Sequence, residues 1–273
     1  MNERQLAAYM ERIGHDWNVR PDLETLRSLH RAHLEAIPFE ALDVQLGRQP
    51  SLDPDAIFDK LVGQRRGGWC YEMNGLFGRV IEHIGFEVTR VSCGVMRHVG
   101  GEERMGTHLA LLVRLDGTEW LADVGFGSSL AEPIPLAVGQ HAQRPFEVGL
   151  SRIDDGHWRF SEHSSGEPFS FDFRAEAADE ALLAEKCRWQ ASAANSNFVL
   201  NFIAQKRSGD RHIALRGKVL SERSPDGEAK QELSGPDEFA RVLAETFGIE
   251  HPDVRSIWPR VEARHAELFA EAG

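Results

Sequence analysis

Length, composition and charge exclude several classes of protein. The 273 residues are 41% hydrophobic and 27% charged, which is typical of a globular protein with two or three subdomains. A formal net charge of −12 disfavours nonspecific nucleic-acid binding, because neutralising phosphates requires clustered Lys and Arg. The start of the chain is polar, and no apolar run approaches the ~20 residues of a membrane helix, so we expect no membrane partner. With three cysteines and no disulfide framework, we expect a cytoplasmic protein.

Residues 1–85 predict four helices, because apolar residues recur at helical spacing in four successive segments. The second segment follows Pro21-Asp22. The third opens at Asp53-Pro54, where aspartate suits the cap and proline the first helical position. The fourth ends at Gly85, a residue type that commonly terminates helices. Its expected buried face consists of apolar residues at helical spacing, namely Met73, Leu76, Phe77, Val80, Ile81 and Ile84.

A glycine-rich turn leads into this fourth helix and carries a cysteine. Cys70 follows Gly67 and Gly68, so it lies at or just before the helix N-terminus. Free N–H groups and the helix dipole stabilise a thiolate at such a position. Arg65 and Arg66 add positive charge nearby. The pattern therefore predicts an activated thiol nucleophile.

From Phe86 onward the hydrophobic period shortens towards two, which predicts strands. The dipeptides Asp116-Gly117 and Asp155-Gly156 are both strong signals of a two-residue hairpin turn. We therefore expect a β-rich meander in the middle of the chain, rolled into a barrel.

The last third of the chain predicts alternating helices and strands. A helix is expected over residues 177–188, followed by strand-like segments over 197–205 and 212–220. A final amphipathic helix is expected to end at Gly248.

The Asp116-Gly117 hairpin brings a histidine and an aspartate together. With a two-residue loop, His108 and Asp123 lie on the same face of the hairpin as diagonal neighbours, within hydrogen-bonding reach. The same register places Arg114 opposite Glu119, which is a favourable charge pair. A shift of one residue would lose both features, so we expect His108 and Asp123 to form a hydrogen bond.

Cys70, His108 and Asp123 together have the composition of a nucleophile, a base and an orienting carboxylate. Each residue alone is more often structural, and their joint placement is what favours catalysis. A zinc site built from the same three residues is a competing interpretation, but no Cys-x-x-Cys or His-x-x-x-His pair and no fourth ligand is evident, so we expect no metal. A noncatalytic thiol sensor would leave His108 and Asp123 unexplained.

The segment that follows Asp123 has the sequence Gly-Phe-Gly-Ser over residues 125–128. Such a turn often has only a structural role. Next to a triad carboxylate, however, it can present N–H groups to an anionic ligand or a developing oxyanion. Tyr71 and Phe126 adjoin the reactive positions, which makes them candidates for the walls of a binding pocket.

These motifs together resemble the arylamine N-acetyltransferases. The resemblance rests on residues 66–75, 107–109 and 123–127, and it extends to Ile37-Pro38-Phe39-Glu40 and to residues 195–199. It implies an α+β multidomain architecture with a papain-like cysteine triad. The implied parts are an N-terminal helical bundle carrying Cys70 (1–85), a central β-barrel carrying His108 and Asp123 (86–190) and a C-terminal α/β lid (191–273).

The resemblance also implies the reaction and its ligands. Acetyl-CoA would acetylate Cys70 and leave as CoA, and an arylamine, arylhydrazine or N-hydroxyarylamine would then take the acetyl group, with ping-pong kinetics. The implied acceptor pocket is lined by aromatic residues, namely Phe39, Tyr71, Phe126 and Phe202. The implied CoA contacts are Thr107, Gly127 and Ser128. An ion pair between Glu40 and Arg66 is implied behind the cysteine.

A rival interpretation is a transglutaminase-like amidase or cysteine peptidase that uses the same triad. Such an enzyme would attack an amide, whereas an acetyltransferase requires a CoA site.

Overall fold

The computed structural model describes residues 1–127, 129–153, 156–163 and 168–270. The helices are α1 (Glu3–Ile13), α2 (Leu23–Ala36), α3 (Leu42–Gln45), α4 (Pro54–Phe58), α5 (Cys70–Ile84), α6 (Arg97–Gly100), α7 (Glu180–Ser192), α8 (Asn197–Leu200), α9 (Pro236–Phe247) and α10 (Trp258–Ala270). The strands are β1 (Phe39–Glu40), β2 (Glu87–Val95), β3 (His108–Leu115), β4 (Thr118–Ala122), β5 (Ile134–Pro135), β6 (Gly139–Gln143), β7 (Phe146–Arg152), β8 (Trp158–His163), β9 (Phe169–Phe173), β10 (Ile203–Ser208), β11 (Arg211–Arg216), β12 (Val219–Ser224) and β13 (Gly227–Glu232).

The four helices expected in the first 85 residues are present, as α1, α2, α4 and α5. The Asp53 carboxylate accepts hydrogen bonds from two N–H groups of α4 at 2.9 and 3.1 Å, as its place before Pro54 predicted. Gly85 ends α5 in the left-handed conformation. Cys70 is the first residue of α5, so its expected position at a helix N-terminus is confirmed.

Eight antiparallel strands form a nearly closed barrel in the order β5-β4-β3-β2-β9-β8-β7-β6. The hairpin between β3 and β4 has the expected register, with Leu115 opposite Thr118 and Arg114 opposite Glu119. Both faces of this hairpin are buried, whereas a strand that alternates apolar and polar residues buries only one face. Leu109 and Leu111 pack against the helices, whereas Leu112 belongs to the aromatic interior of the barrel.

A second sheet, in the order β1-β10-β11-β12-β13, packs against α9 and α10. It includes Phe39-Glu40 from the N-terminal region, which pairs with β10 and also bridges to Gly68. The segment just before Cys70 is therefore attached to the C-terminal sheet. The expected three-part architecture is confirmed in outline, with helices, a barrel and a C-terminal α/β part.

The structure corrects two local expectations in the C-terminal region. Residues 197–205 are not one strand, because Ser196 caps the short helix α8 before β10 begins at Ile203. Residues 212–220 are two strands, since Gly217 adopts a φ of +57° and turns the chain between β11 and β12. Asp155, from the second hairpin signal, lies outside the described residues. In the part of the chain that is described, none of the helices is both long and apolar enough to cross a membrane.

His30 and His212 are among the histidines that are buried in a form that disfavours protonation. The ring of His30 packs against Phe77 and its Nδ1 donates to the Ala131 carbonyl at 3.1 Å. The ring of His212 donates from Nε2 to the Gly127 carbonyl at 2.8 Å. Burial lowers the pKa of each to about 4, because the surrounding core cannot solvate an imidazolium.

These two histidines are expected to make the fold acid-sensitive. The unfolded chain binds protons at its usual histidine pKa near 6.5, so stability is lost as pH falls from that value towards 4. At about pH 5 the loss is about 2 kcal/mol for each histidine. Urea unfolding of His212→Gln, which keeps a donor for Gly127, should show a smaller loss between about pH 7 and pH 5 than the unaltered protein. The control is His163→Gln, which replaces an exposed histidine. A loss of stability in His212→Gln as large as that in the control would contradict the role given to His212.

Candidate active site

The turn before Cys70 is held by backbone pairing with the segment that precedes β1. Gly68 donates to the Pro38 carbonyl at 3.2 Å and its own carbonyl accepts from the Glu40 N–H at 2.9 Å. At the helix start, the Glu72 carboxylate accepts from the Trp69 N–H at 3.2 Å, which caps the first turn. Cys70 is thereby fixed at the point where the turn becomes α5.

A buried ionic network lies behind this turn. Arg66 donates from Nε and Nη2 to one oxygen of Glu40, at 3.0 and 2.6 Å, so the expected ion pair is present. Lys60 lies 2.6 Å from Asp43 and 2.8 Å from Glu72. Burial raises the pKa of Glu72, while the charge of Lys60 opposes that effect. The network extends the sequence-based expectation from one pair to five charged side chains.

His108 and Asp123 form the predicted hydrogen bond. Nε2 of His108 donates to Oδ2 of Asp123 at 2.6 Å, and the two residues are 1% and 2% exposed. Burial alone would lower the pKa of His108, but the Asp123 charge and hydrogen bonds with Asp123 and Cys70 raise it to about 10. Burial acts against ionisation of Asp123 as well, yet its contacts with His108 hold its pKa below the usual value. The contact between the two residues therefore favours the imidazolium form of His108 and the carboxylate form of Asp123.

Cys70 completes the group. Its thiol is close enough to His108 to help raise the pKa of that imidazole. Since Asp123 occupies Nε2, the ring nitrogen that remains for another partner is Nδ1. The loop after Asp123 packs directly on the cysteine, because a Cβ on Gly125 would lie 2.7 Å from the Cys70 Cα. An imidazolium beside a thiol favours the thiolate, so the arrangement can perform nucleophilic and acid–base chemistry.

Asn74 supports the triad and was missed by the sequence analysis. Its Nδ2 donates to Oδ1 of Asp123 at 2.8 Å and to the Leu109 carbonyl at 2.7 Å. Its Oδ1 accepts from the Val124 N–H at 3.0 Å. Asn74 thus joins the cysteine helix, the histidine strand and the aspartate loop in one buried residue. Its position one turn after Cys70, on the same helix face, is the signal that could have identified it.

Aromatic rings surround the imidazole. Phe126 lies 5.1 Å from the His108 ring and Phe171 lies 4.9 Å from it, between ring centroids. Phe169 stacks on Phe126 at 4.8 Å with an interplanar angle of 11°, and it is 47% exposed. Phe126, expected as a pocket wall, is therefore placed at the triad, and Phe169 and Phe171 join it through β9.

The other three aromatic candidates lie at different places. Tyr71 is 2% exposed, and its hydroxyl donates to the Gly106 carbonyl at 2.7 Å. Phe39 packs on the ring of Phe198 at 6.1 Å. Phe202 packs against Phe239 in the core of the C-terminal sheet. Their role in an acceptor pocket stays a prediction.

The candidate CoA contacts are placed as follows. The Thr107 hydroxyl donates to the Arg104 carbonyl at 2.6 Å and accepts from the Val95 N–H at 3.1 Å, so it braces the loop before β3. Gly127 lies in the turn after Phe126, where its carbonyl accepts from His212. Ser128 lies outside the described residues. Across the described ranges, no three His, Cys, Asp or Glu side chains are grouped so that they could hold a metal ion.

Comparison with known proteins identifies the family of this chain. A family model described as N-acetyltransferase matches residues 22–254. The chain is 34% identical over 271 residues to an arylamine N-acetyltransferase of Mycolicibacterium smegmatis, covering 97% of this chain and 98% of that protein. It is 32% identical to the arylamine N-acetyltransferase / N-hydroxyarylamine O-acetyltransferase of Salmonella typhimurium, with 92% and 90% covered.

Comparison with solved structures supports the same family. The fold matches that of the M. smegmatis arylamine N-acetyltransferase with a TM-score of 0.86 and 33% identity, covering 96% of this chain and 97% of the other. It matches the Mycobacterium marinum arylamine N-acetyltransferase in complex with CoA with a TM-score of 0.84 and 30% identity, covering 95% and 97%. With its helical N-terminal part, its barrel and its buried Cys70–His108–Asp123 chain, this protein belongs to the arylamine N-acetyltransferase family and is an acyltransferase.

Proposed function

We propose that the protein transfers an acetyl group from acetyl-CoA to an arylamine, arylhydrazine or N-hydroxyarylamine through a thioester on Cys70. The observation that carries the proposal is the placement of Cys70 at the first residue of α5, beside the buried and hydrogen-bonded His108–Asp123 pair. The family supports the substrate class, and the geometry supports the proposed roles of the three residues. The transglutaminase-like alternative is not favoured, because the relatives are acetyltransferases.

In the first half-reaction the Cys70 sulfur attacks the acetyl carbonyl as a thiolate. The negative charge then moves to the carbonyl oxygen, and the start of a helix presents N–H groups without intrahelical acceptors that stabilise such an oxyanion. The bond to the CoA sulfur breaks as the acetyl–Cys70 thioester forms. His108 holds the proton that the departing CoA thiolate takes up.

In the second half-reaction the amine nitrogen attacks the thioester carbonyl. His108, neutral after the first step, takes the proton that the nitrogen loses as the new amide bond forms. The carbon–sulfur bond breaks, and Cys70 returns as a thiolate beside an imidazolium. Asp123 keeps the ring oriented and stabilises its charged form in both steps.

The acceptor ring is proposed to lie against Phe126. This ring lies beside His108 and is stacked by the exposed ring of Phe169, so aromatic surface extends from the imidazole towards solvent. Phe39, Tyr71 and Phe202 are proposed as further walls on the basis of the family resemblance. Their burial would complete an apolar site that keeps water from the thioester.

Acetyl-CoA is proposed to be held near the turn that follows Asp123. Support comes from Gly127, whose positive φ of +58° shapes this turn, and from His212, which fixes its carbonyl. Thr107 and Ser128 are proposed as neighbouring contacts.

The free, buried cysteines support a cytoplasmic location, where reduced thiols persist.

The proposal is tested by mass spectrometry of the intact protein. Acetyl-CoA alone should add one acetyl group, located on Cys70 by peptide mapping, and addition of an arylamine should remove it and yield the N-acetylated amine. Cys187→Ala serves as the matched control, because Cys187 is also buried but lies in α7, and it should be acetylated like the unaltered protein. Absence of an acetyl adduct, together with efficient cleavage of peptides, would support the amidase or peptidase instead.

A further inference from the structure

The side-chain amide of Gln190 joins the helix that carries Cys70 to the strand that carries His108. Its Nε2 donates to the Tyr71 hydroxyl at 2.7 Å and to the Thr107 carbonyl at 2.9 Å. Tyr71 directly follows the nucleophile in α5, and Thr107 directly precedes the base in β3. One amide on α7 therefore spans the two elements whose separation sets the distance between sulfur and imidazole.

Both ends of this bridge are themselves fixed. The Tyr71 hydroxyl donates to the Gly106 carbonyl at 2.7 Å, and the Ser196 hydroxyl donates to the main-chain carbonyl of Gln190 at 2.6 Å. Burial raises the pKa of Tyr71 well above its usual value, so its hydroxyl stays a donor at every pH of interest. Tyr71, Gln190 and Ser196 are 2%, 7% and 1% exposed, so water competes little for these hydrogen bonds.

The chemistry of the bridge is more specific than packing requires. An apolar side chain of the same length would fill the space that Gln190 occupies. The two N–H donors of an amide, in contrast, match two acceptors that belong to different elements. A displacement of about 1 Å between reacting groups can cost ~10²-fold in rate, so a tie at this place has a functional consequence.

We propose that Gln190 is a positioning residue that holds Cys70 and His108 at the separation that proton transfer needs. The inference rests on the proposed acetyl transfer through Cys70. Gln190 acts through Tyr71 and Thr107, and its effect is therefore on the reactivity of the thiol.

The test is the pH dependence of Cys70 alkylation by iodoacetamide, followed by mass spectrometry of the intact protein. The reagent reports the thiolate and needs neither acetyl-CoA nor an amine. In the unaltered protein the rate should stay high down to low pH, because the imidazolium stabilises the thiolate. In Gln190→Met, which keeps the side-chain length and removes both donors, the low-pH limb should move up by about one pH unit, so that the rate at a given pH on that limb falls by about tenfold.

Two further variants make the test specific. Gln45→Met is the matched control, because the Gln45 amide is also buried and donates to the Phe198 and Val199 carbonyls at 2.6 and 3.1 Å. Its pH profile should coincide with that of the unaltered protein. Tyr71→Phe removes only the hydroxyl of the bridge and should shift the profile in the same direction as Gln190→Met, so it carries the test if Gln190→Met does not fold.

Profiles of Gln190→Met and Tyr71→Phe that coincide with the unaltered protein would overturn the inference, and so would an equal shift in Gln45→Met. Normal acetylation of Cys70 in the unaltered protein would show in those cases that the proposed function stands. An unaltered protein that acquires no acetyl group from acetyl-CoA and shows no thiolate reactivity at low pH would overturn both.

Discussion

Replacing Asp123 by asparagine is expected to lower the rate of Cys70 acetylation by roughly 10³–10⁴-fold, by analogy with the removal of the carboxylate charge from other triads. The carboxylate charge is what keeps the buried His108 protonated and its ring oriented. An asparagine has nearly the same shape but no charge, so burial would dominate and the pKa of His108 would fall. The imidazolium that favours the Cys70 thiolate would be lost. Single-turnover acetylation, followed by release of CoA, measures the effect.

The matched control for this experiment is Asp172→Asn. Asp172 is also fully buried in the barrel, where it accepts hydrogen bonds from Arg159 at 2.7 and 2.8 Å. Its replacement is expected to lower stability and to change the acetylation rate of the folded protein by less than about tenfold. If Asp123→Asn and Asp172→Asn slowed acetylation equally, loss of a buried carboxylate in general would explain the result, and the triad role would be wrong.

Local rules accounted for the parts of the site that lie within one element or one hairpin. The start of α5 at Cys70 follows from the glycines and the apolar period around it, which are signals within about a dozen residues. The His108–Asp123 hydrogen bond follows from the register of a two-residue hairpin. Both depend on short-range geometry, which a sequence pattern specifies well.

The missed features depend on contacts between segments that are distant in the chain. Asn74 and Gln190 are polar residues in helices. The acceptors that they reach lie in the hairpin, in the loops around it and, for Gln190, also in α5. A helical pattern predicts which residues are buried, but it does not identify the partner of a buried amide. The same reason applies to Lys60 and Asp43, whose charges complete the network behind the nucleophile.

The C-terminal corrections have a different cause. The apolar run before β10 is compatible with a strand or a short helix, and the Ser196 cap decides in favour of α8. The segment over 212–220 alternates as one strand would, and only the left-handed Gly217 reveals the turn within it. Periodicity in short segments therefore left the type and number of elements open, and specific turn residues determined them.

Glu40→Gln is expected to cause the largest loss of stability among single changes near the site. The Glu40 side chain is 0% exposed, and it accepts from Arg66 Nε and Nη2 and from the Leu42 N–H at 2.6 Å. Once the charge of Glu40 is removed, the ion pairs of the described residues leave Arg66 only one charged partner, Asp43, at 3.4 Å. Breaking a buried ion pair from one side costs about 3–5 kcal/mol, and urea unfolding at neutral pH should show a loss of that order.

The control is the exposed pair on α9. Arg241 and Glu245 are 55% and 65% exposed and 3.0 Å apart, so Glu245→Gln should change the free energy of unfolding several-fold less than Glu40→Gln. Glu40→Gln should also slow Cys70 acetylation in the folded protein, because the Glu40 carboxylate holds Arg66 in the turn before Cys70. Equal effects of the two substitutions on stability would show that the Glu40–Arg66 pair contributes no more than a surface contact, and the account of how the turn before α5 is held would be wrong.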